Sequence, residues 1–419
     1  MKIYRETEFQ ETELGKIPKD WRVGELGEVL VLGHGKRPDA ILPEGEFPVY
    51  GGGGFYGYTN TYLVDKPYVL IIARVGAGSA GKGKVYLSRG KVWVTDNAIY
   101  GYSREPNSII TVYVYYWLLF ERSWIKRYVS RAAGGSAVIT LNSLKNIILP
   151  LPPPDEQKNI VEILLTVDNA IESIDRAVAR LERLKKALMD KLLTGRIRVR
   201  EEDGKLKLYR ETEFQEAEMG KIPRDWKMLR LKDIAEIRGS KKVSQSNDKV
   251  VFIPMEAIPD NDLYVKFELQ DIDKVRSYVY CEPGDILLAK ITPSFENGKQ
   301  GIVPTNIPGK FALATTEAYP IKCKNINAFF LFYLLKYPPV RNRLVSLMRG
   351  TTGRKRVPRE ALENLLLPYP PIDEQRSITE IILTIDEVIK LSCRERDSLE
   401  HLKRGLMKLL LTGKVRVRA

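Results

Sequence analysis

The chain has 419 residues, enough for two or three domains with their own cores, and carries 67 Lys+Arg against 53 Asp+Glu, a net charge of +14. A positive excess of that size points to a polyanionic partner, nucleic acid first. Three widely spaced cysteines and two histidines leave no zinc site of ordinary spacing to expect, and the thiols fit a reducing, cytoplasmic setting.

The start, "MKIYRETEFQ", is polar and charged and lacks the pattern of a signal peptide. "YRETEFQETELGKIPKDW" at 4–21 returns as "YRETEFQEAEMGKIPRDW" at 209–226, with 15 of 18 positions identical and an offset of 209 − 4 = 205. Such self-similarity signals a repeat architecture. The stretches behind the two copies, 22–148 and 227–366, barely resemble each other. A duplicated enzyme is expected to repeat its active site. Here the frame repeats and the contents differ, which suggests one task performed on two targets.

Within the first stretch, "YGGGGFYGYTN" at 50–60 interleaves aromatics, glycines and an amide. Glycine lets the backbone approach a bulky ligand, while Tyr and Asn suit sugar, phosphate or a base edge. Tyr50, Gly52, Gly53, Tyr56, Tyr58 and Asn60 are therefore candidate contacts, against the plainer alternative of ordinary hairpin loops.

The apolar run "YVLIIA" then enters "RVGAGSAGKGK" at 74–84, whose glycines mimic nucleotide-binding loops. Such loops must open a helix, because its N-terminal amides hold the phosphate. The residues after this loop alternate as a strand does, at Val85, Leu87, Val92 and Val94, and Gly83 stands where a magnesium-binding hydroxyl is required. The expectation is a glycine-rich turn in a β-rich domain that presents Arg74, Lys82 and Lys84 to a polyanion. The apolar runs at 113–120 and 328–335 are too short to span a bilayer, so no membrane contact is expected.

"LPLPPPDEQKNIVEILLTVDNAIE" from 149 returns as "LPYPPIDEQRSITEIILTIDEVIK" from 367, an offset of 367 − 149 = 218. "LMDKLLTGRIRVR" from 188 returns from 406 as "LMKLLLTGKVRVR", again offset by 218. After the prolines, Asp155 and Asp373 are expected as helix N-caps, with Glu156 and Glu374 near the positive end of the dipole. Apolar residues then recur every three or four positions: Ile160, Ile163, Leu164, Val167, Ile171, Ile174, Val178, Leu181, Leu188 and Leu192, ending at Gly195. Ile378, Ile381, Ile385, Val388, Leu399, Leu402, Leu406 and Leu410 recur similarly up to Gly413. Each helix should run about 39 residues, or ~60 Å. One apolar stripe on so long a helix calls for a partner, and pairing as an antiparallel coiled coil is the economical solution.

In the second stretch, "GDILLAKITPSFENGK" at 284–299 runs from a strand into a loop with Lys290, Thr292, Ser294, Asn297 and Lys299. "RNRLVSLMRGTTGRKRVPR" at 341–359 holds seven basic residues and no acid. Arg349, Thr351, Thr352, Arg354, Lys355 and Arg356 are its candidate phosphate contacts. By the 218 offset it corresponds to "RAAGGSAVITLNS" at 131–143.

The "GKIPKDW" and "GKIPRDW" segments, the "LPPPDEQ" and "YPPIDEQ" helix starts and the paired "LLTG" helix ends resemble the specificity subunit of type I restriction–modification enzymes, over nearly the whole chain. "WVTDNAIYGY", with Thr95 and Asn97, and "GDILLAKITPSFENGK" resemble target-recognition segments of that family. The resemblance implies an α+β chain: two globular target-recognition domains joined by two long antiparallel coiled-coil helices, an internal tandem repeat with pseudo-twofold symmetry. It places the first recognition domain at 1–150, the first spacer helix at 151–200, the second domain at 201–368 and the second helix at 369–419. Each domain would read one half of a bipartite, asymmetric site on double-stranded DNA. The helices would set the unread spacer and dock two modification (methyltransferase) subunits, with ATP-dependent restriction subunits outside. S-adenosylmethionine, ATP and magnesium would then belong to the partners, with no catalytic or metal site in this chain.

Two other functions compete. An autonomous nucleic-acid enzyme finds little support: there is no [DN]-P-P-[YF] methyltransferase tetrapeptide and no complete phosphate loop. A stand-alone DNA-binding regulator would share the architecture but should bind its site tightly without partners.

Overall fold

The computed structural model describes residues 2–74, 84–105, 108–122, 130–131, 137–218, 220–239, 249–275, 277–351 and 353–418. By contact the chain divides into two compact units, Met1–Ala177 with Ser392–Ala419, and Val178–Leu391. Two long helices, Pro154–Leu193 and Ile372–Leu410, each supply one segment to either unit.

The helix starts differ from the expected capping. Each helix begins beside the proline run, so Asp155 and Asp373 lie in the first turn and are not caps. Pro153 and Pro371 precede the first helical residue, and their carbonyls accept from the amides of Gln157 and Gln375, 3.0 Å each. Proline serves there because the first-turn amides lack intrahelical partners anyway. The same glutamines hook back, donating from Nε2 to the carbonyls of Pro152 and Pro370 at 2.8 Å.

The apolar stripe also needs correction. Val388 and Leu402 are exposed, whereas Ile382 is fully buried and Lys403 takes a half-buried seam position. The reason is polar. In the first unit Lys403 pairs with Asp168 at 2.6 Å, and Tyr116 donates its hydroxyl proton to the same carboxylate at 2.6 Å. In the second unit Lys185 and Tyr333 bind Asp386 in the same way. A further pair in the first unit, Arg396 with Asp175, lies at 3.7 Å, so numbering rises along one helix segment as it falls along the other. Ile160, Val161 and Leu164 share a core with Met407 and Leu410, and Leu192 and Leu193 share one with Ile378 and Ile382.

The repeated motifs meet inside each unit. Arg416 donates to both oxygens of Glu156 at 2.7 Å, to Asp20 at 2.9 Å and to Glu6. Trp21 donates its indole N–H to Glu156 at 3.1 Å, with the guanidinium 5.6 Å from its ring centroid. In the second unit Arg198 binds Glu374 twice at 2.7 Å, Asp225 at 2.9 Å and Glu211 at 2.6 Å, and Trp226 repeats the indole bond at 3.1 Å. A buried guanidinium needs this many acceptors to offset its lost hydration. Gly195 and Gly413 have left-handed φ of 69° and 66°, and a Cβ on either would collide with Pro223 or Pro18. The helix-ending glycine and the "GKIP" proline therefore pack against each other.

The strands that carry these arginines are paired differently. In the second unit Ile197–Glu202 and Lys205–Arg210 form a hairpin turned by Asp203 and Gly204, both at positive φ. In the first unit the equivalent strands are Lys2–Arg5 and Val415–Arg418, joined only by hydrogen bonds.

Between the frames lie sheets. The first unit has six strands in the spatial order Leu30–His34, Ala98–Ser103, Val64–Ala73, Val85–Val94, Phe47–Gly51, Gly54–Thr59. The second has two four-stranded sheets. One runs Ala235–Ile237, Ala318–Cys323, Ile286–Ala289, Gln300–Ile302; the other runs Glu268–Asp271, Lys249–Ile253, Ala312–Ala314, Val279–Cys281.

Candidate nucleic-acid interface

Two stretches with almost no common sequence build one backbone junction. In the first unit Ala98 pairs with Ala73, and Arg74 donates its amide proton to the Asn97 carbonyl at 2.9 Å. In the second Ala318 pairs with Ala289, and Lys290 donates to the Glu317 carbonyl at 3.0 Å. The match continues outward. Ala73 donates to the Lys84 carbonyl at 3.0 Å as Ala289 does to Lys299 at 3.1 Å, and the Arg74 and Lys290 carbonyls accept from Ile139 at 3.1 Å and Val357 at 2.8 Å. Thr95 donates to Tyr50 at 2.8 Å as Thr315 does to Ile253 at 3.0 Å. Backbone bonds set this arrangement, so side chains such as Arg74 against Lys290 and Asn97 against Glu317 can differ on it.

The junction holds the two flanks of the glycine-rich loop, whose residues 75–83 lie outside the described residues. Arg74 directly follows the strand Val64–Ala73 and Lys84 directly precedes its neighbour Val85–Val94, so a strand and not a helix comes next, and no helix N-terminus follows to hold a phosphate. Its counterpart is the 290–299 loop. Lys82 and Thr352 lie outside the described residues.

In the first unit the structure gathers Tyr50, Tyr56, Arg74, Lys84, Thr95 and Asn97. Tyr56 is exposed and accepts from the Gly53 amide at 2.9 Å. A Cβ on Gly51 would meet the Thr95 hydroxyl, and the Tyr56 ring at 2.6 Å, so only glycine permits this approach. Asn97 is exposed, whereas Thr95 is buried. Two buried polar atoms, Arg74 Nε and Thr95 Oγ1, have no hydrogen-bond partner among the described residues. Such groups are rare and call for a partner. Gly52 is buried, and Tyr58 and Asn60 sit at the open end of the hairpin, away from the junction.

In the second unit the loop and the basic segment come together: Thr292 donates its amide proton to the Lys355 carbonyl at 3.0 Å, and Ile291 bridges Arg356. Arg349, Thr351, Arg354, Lys355 and Asn297 are exposed, and Ser294 is half-buried. Other candidates have structural duties. Lys299 donates to the Met255 carbonyl at 3.0 Å, the Thr292 hydroxyl to Glu296 at 3.0 Å, and Arg356 to Glu317 at 2.7 and 3.1 Å. The seven-charge run is also thinner than its sequence suggests. Arg341 is buried on the carbonyls of Leu335 and Phe295, its pKa pushed down to about 10 by desolvation. Arg343 pairs with Glu218, and Arg359 with Glu363 at 2.7 Å.

Sequence reasoning missed Glu317. The signal was present as "ATTEAY" against "VTDNAIY", but the two fall at an offset of 314 − 94 = 220, which matches neither frame offset, 205 or 218. Burial of the Lys290 ammonium lowers its pKa, and Lys290 lies 5.0 Å over the Tyr319 ring.

Comparison with known proteins agrees with this duplicated plan. The family described as the type I restriction modification DNA specificity domain matches residues 18–183 and again 223–401. The chain is similar to the type I restriction enzyme MjaVIII specificity subunit of Methanocaldococcus jannaschii, 26% identical over 100% of this chain and 98% of that one. It is similar also to the MjaX specificity subunit of the same organism, described there as putative, at 27% over 100% and 99%. Among solved structures, the S subunit of a type I restriction–modification system from M. genitalium shares the fold with a TM-score of 0.60 at 15% identity, covering 93% of this chain and 96% of that one.

Proposed function

The chain belongs to the type I restriction–modification DNA specificity family and is a specificity subunit of that kind; from this we propose that its two units read the two halves of a bipartite, asymmetric site on double-stranded DNA. The observation that carries the reading is the shared junction with unlike side chains, one set per unit. The net charge of +14 supplies attraction to the phosphate backbone, which steers binding without selecting sequence. Selection then falls to polar side chains at base edges.

In this reading the long helices pair as an antiparallel coiled coil and act as a ruler. The Lys403–Asp168 and Lys185–Asp386 pairs support it, since a polar seam position fixes register. A helix of 40 residues is ~60 Å long, more than the ~34 Å of one DNA turn. The helices also dock two methyltransferase subunits, with restriction subunits beyond them. S-adenosylmethionine, ATP and magnesium belong to those partners, in the cytoplasm. Among the described residues no helix is long and apolar enough to cross a membrane, and no His/Cys/Asp/Glu group is arranged to hold a metal.

The test is domain exchange. Replacing residues 22–148 with the equivalent stretch of another family member should change one half-site only, as read by mapping DNA methylation in cells that carry the partner subunits. A change in both halves overturns the modular reading.

A further inference from the structure

Resting on that reading, we propose that positions 97 and 317 are matched base-reading positions, Asn97 taking adenine in one half-site and Glu317 taking cytosine in the other. Both come two residues after a threonine and precede the alanine that pairs with the end of the neighbouring strand. Both offer their carbonyl to the amide of a basic residue, Arg74 at 2.9 Å or Lys290 at 3.0 Å. The two side chains therefore leave equivalent points of equivalent backbones, each beside a cation that can meet a phosphate. That is the division of labour a DNA reader needs: phosphate contacts fix orientation and a neighbouring polar side chain inspects the base.

The chemistry of the two side chains then differs in a way that DNA can register. An asparagine amide donates and accepts at once, which suits the N6 and N7 edge of adenine in the major groove. A carboxylate only accepts, which suits the exocyclic amine of cytosine. Phosphate repels a carboxylate, so an acid amid the basic patch needs a reason to be there. Glu317 is half-buried between Lys290 and Arg356, and the Arg356 bond holds its pKa below the ordinary range. It stays charged, oriented and acceptor-only. In the first unit, the Arg74 amide bonds the Asn97 carbonyl and Thr95 lies two residues before it; among the described residues Arg74 Nε and Thr95 Oγ1 have no hydrogen-bond partner, leaving polar valence for a ligand.

A purely structural role for Glu317, anchoring Arg356, is the rival explanation, and the two separate cleanly. The full-length chain, co-purified with its methyltransferase subunits, is used to select from a randomised double-stranded DNA library. Wild type should yield a two-part motif with a fixed gap; recovery of no such motif overturns the functional reading itself. Glu317→Gln should relax the preference for cytosine at one position of one half-site by about tenfold or more, leaving the other half-site and the gap unchanged. Glu317→Asn should move that position toward adenine, a gain that misfolding cannot produce. Asn97→Ala, at an exposed residue, should relax one adenine in the opposite half-site. If the variants keep every wild-type preference and lose only overall affinity, the anchor role stands and the base-reading assignment is wrong.

Discussion

Arg416 and Glu156 stand 260 positions apart and share two 2.7 Å hydrogen bonds in an interior that leaves neither exposed. Their counterparts Arg198 and Glu374 do the same in the other unit. Removing one partner strands a buried charge. Arg416→Ala or Glu156→Gln should lower the stability of the first unit by ~3–5 kcal/mol, seen as an earlier transition in urea unfolding followed by Trp fluorescence. Lys16→Ala, which breaks the exposed Lys16–Glu11 pair, should shift nothing beyond ~0.5 kcal/mol. Equal effects would show that the hub is no more than a surface pair.

Acid should loosen both hubs. The hydrogen bond from Arg416 holds Asp20 below the usual 3.8, and the Glu213 amide, with Arg198 after it, holds Glu211 below 4.5 despite the opposing cost of burial. A carboxylate depressed in the folded state contributes stability above its unfolded pKa and loses it as pH falls through the folded value. Stability should therefore be flat from neutrality to about pH 5 and decline below about pH 4. The near-ultraviolet signal of Trp21 and Trp226 reports it, and a flat profile to pH 3 would contradict the assignment.

Tyr116 and Tyr333 hold the helix carboxylates Asp168 and Asp386 at 2.6 Å. Tyr116→Phe or Tyr333→Phe should each cost ~1.5–3 kcal/mol, the range for a hydrogen bond to a charged group. Thermal unfolding should show the two losses adding, because the triads are separate. Strong non-additivity would mean that the triads are coupled.

Arg354 and Lys355 are exposed, with no carboxylate partner among the described residues, unlike Arg356. Alanine at either should weaken DNA binding evenly across sequences and reduce the slope of log K against log salt by about 1. Loss of one particular base preference would make them base readers.

Seven residues inserted at matching points of both long helices add ~10 Å of length, or ~3 base pairs at ~3.4 Å each. The methylated motif should then carry a longer unread gap with the same half-sites. An unaltered gap would remove the helices as the ruler.

The sequence alone determined the frame, because each element there is locally specified. Proline runs start the helices, three-four spacing sets their buried faces, and left-handed Gly195 and Gly413 end them. Only the tertiary structure decided the rest. Arg416 lies with Glu6 and Glu156 because strands from both chain ends pair, a contact with no local signature. Val388 and Leu402 face outward because Lys403 and Asp386 take seam positions in ion pairs, which apolar periodicity cannot register. Arg341 spends its charge on buried carbonyls, and Asn97 and Glu317 share one backbone address, because hydrogen bonds between distant strands, blind to side-chain identity, decide which positions meet.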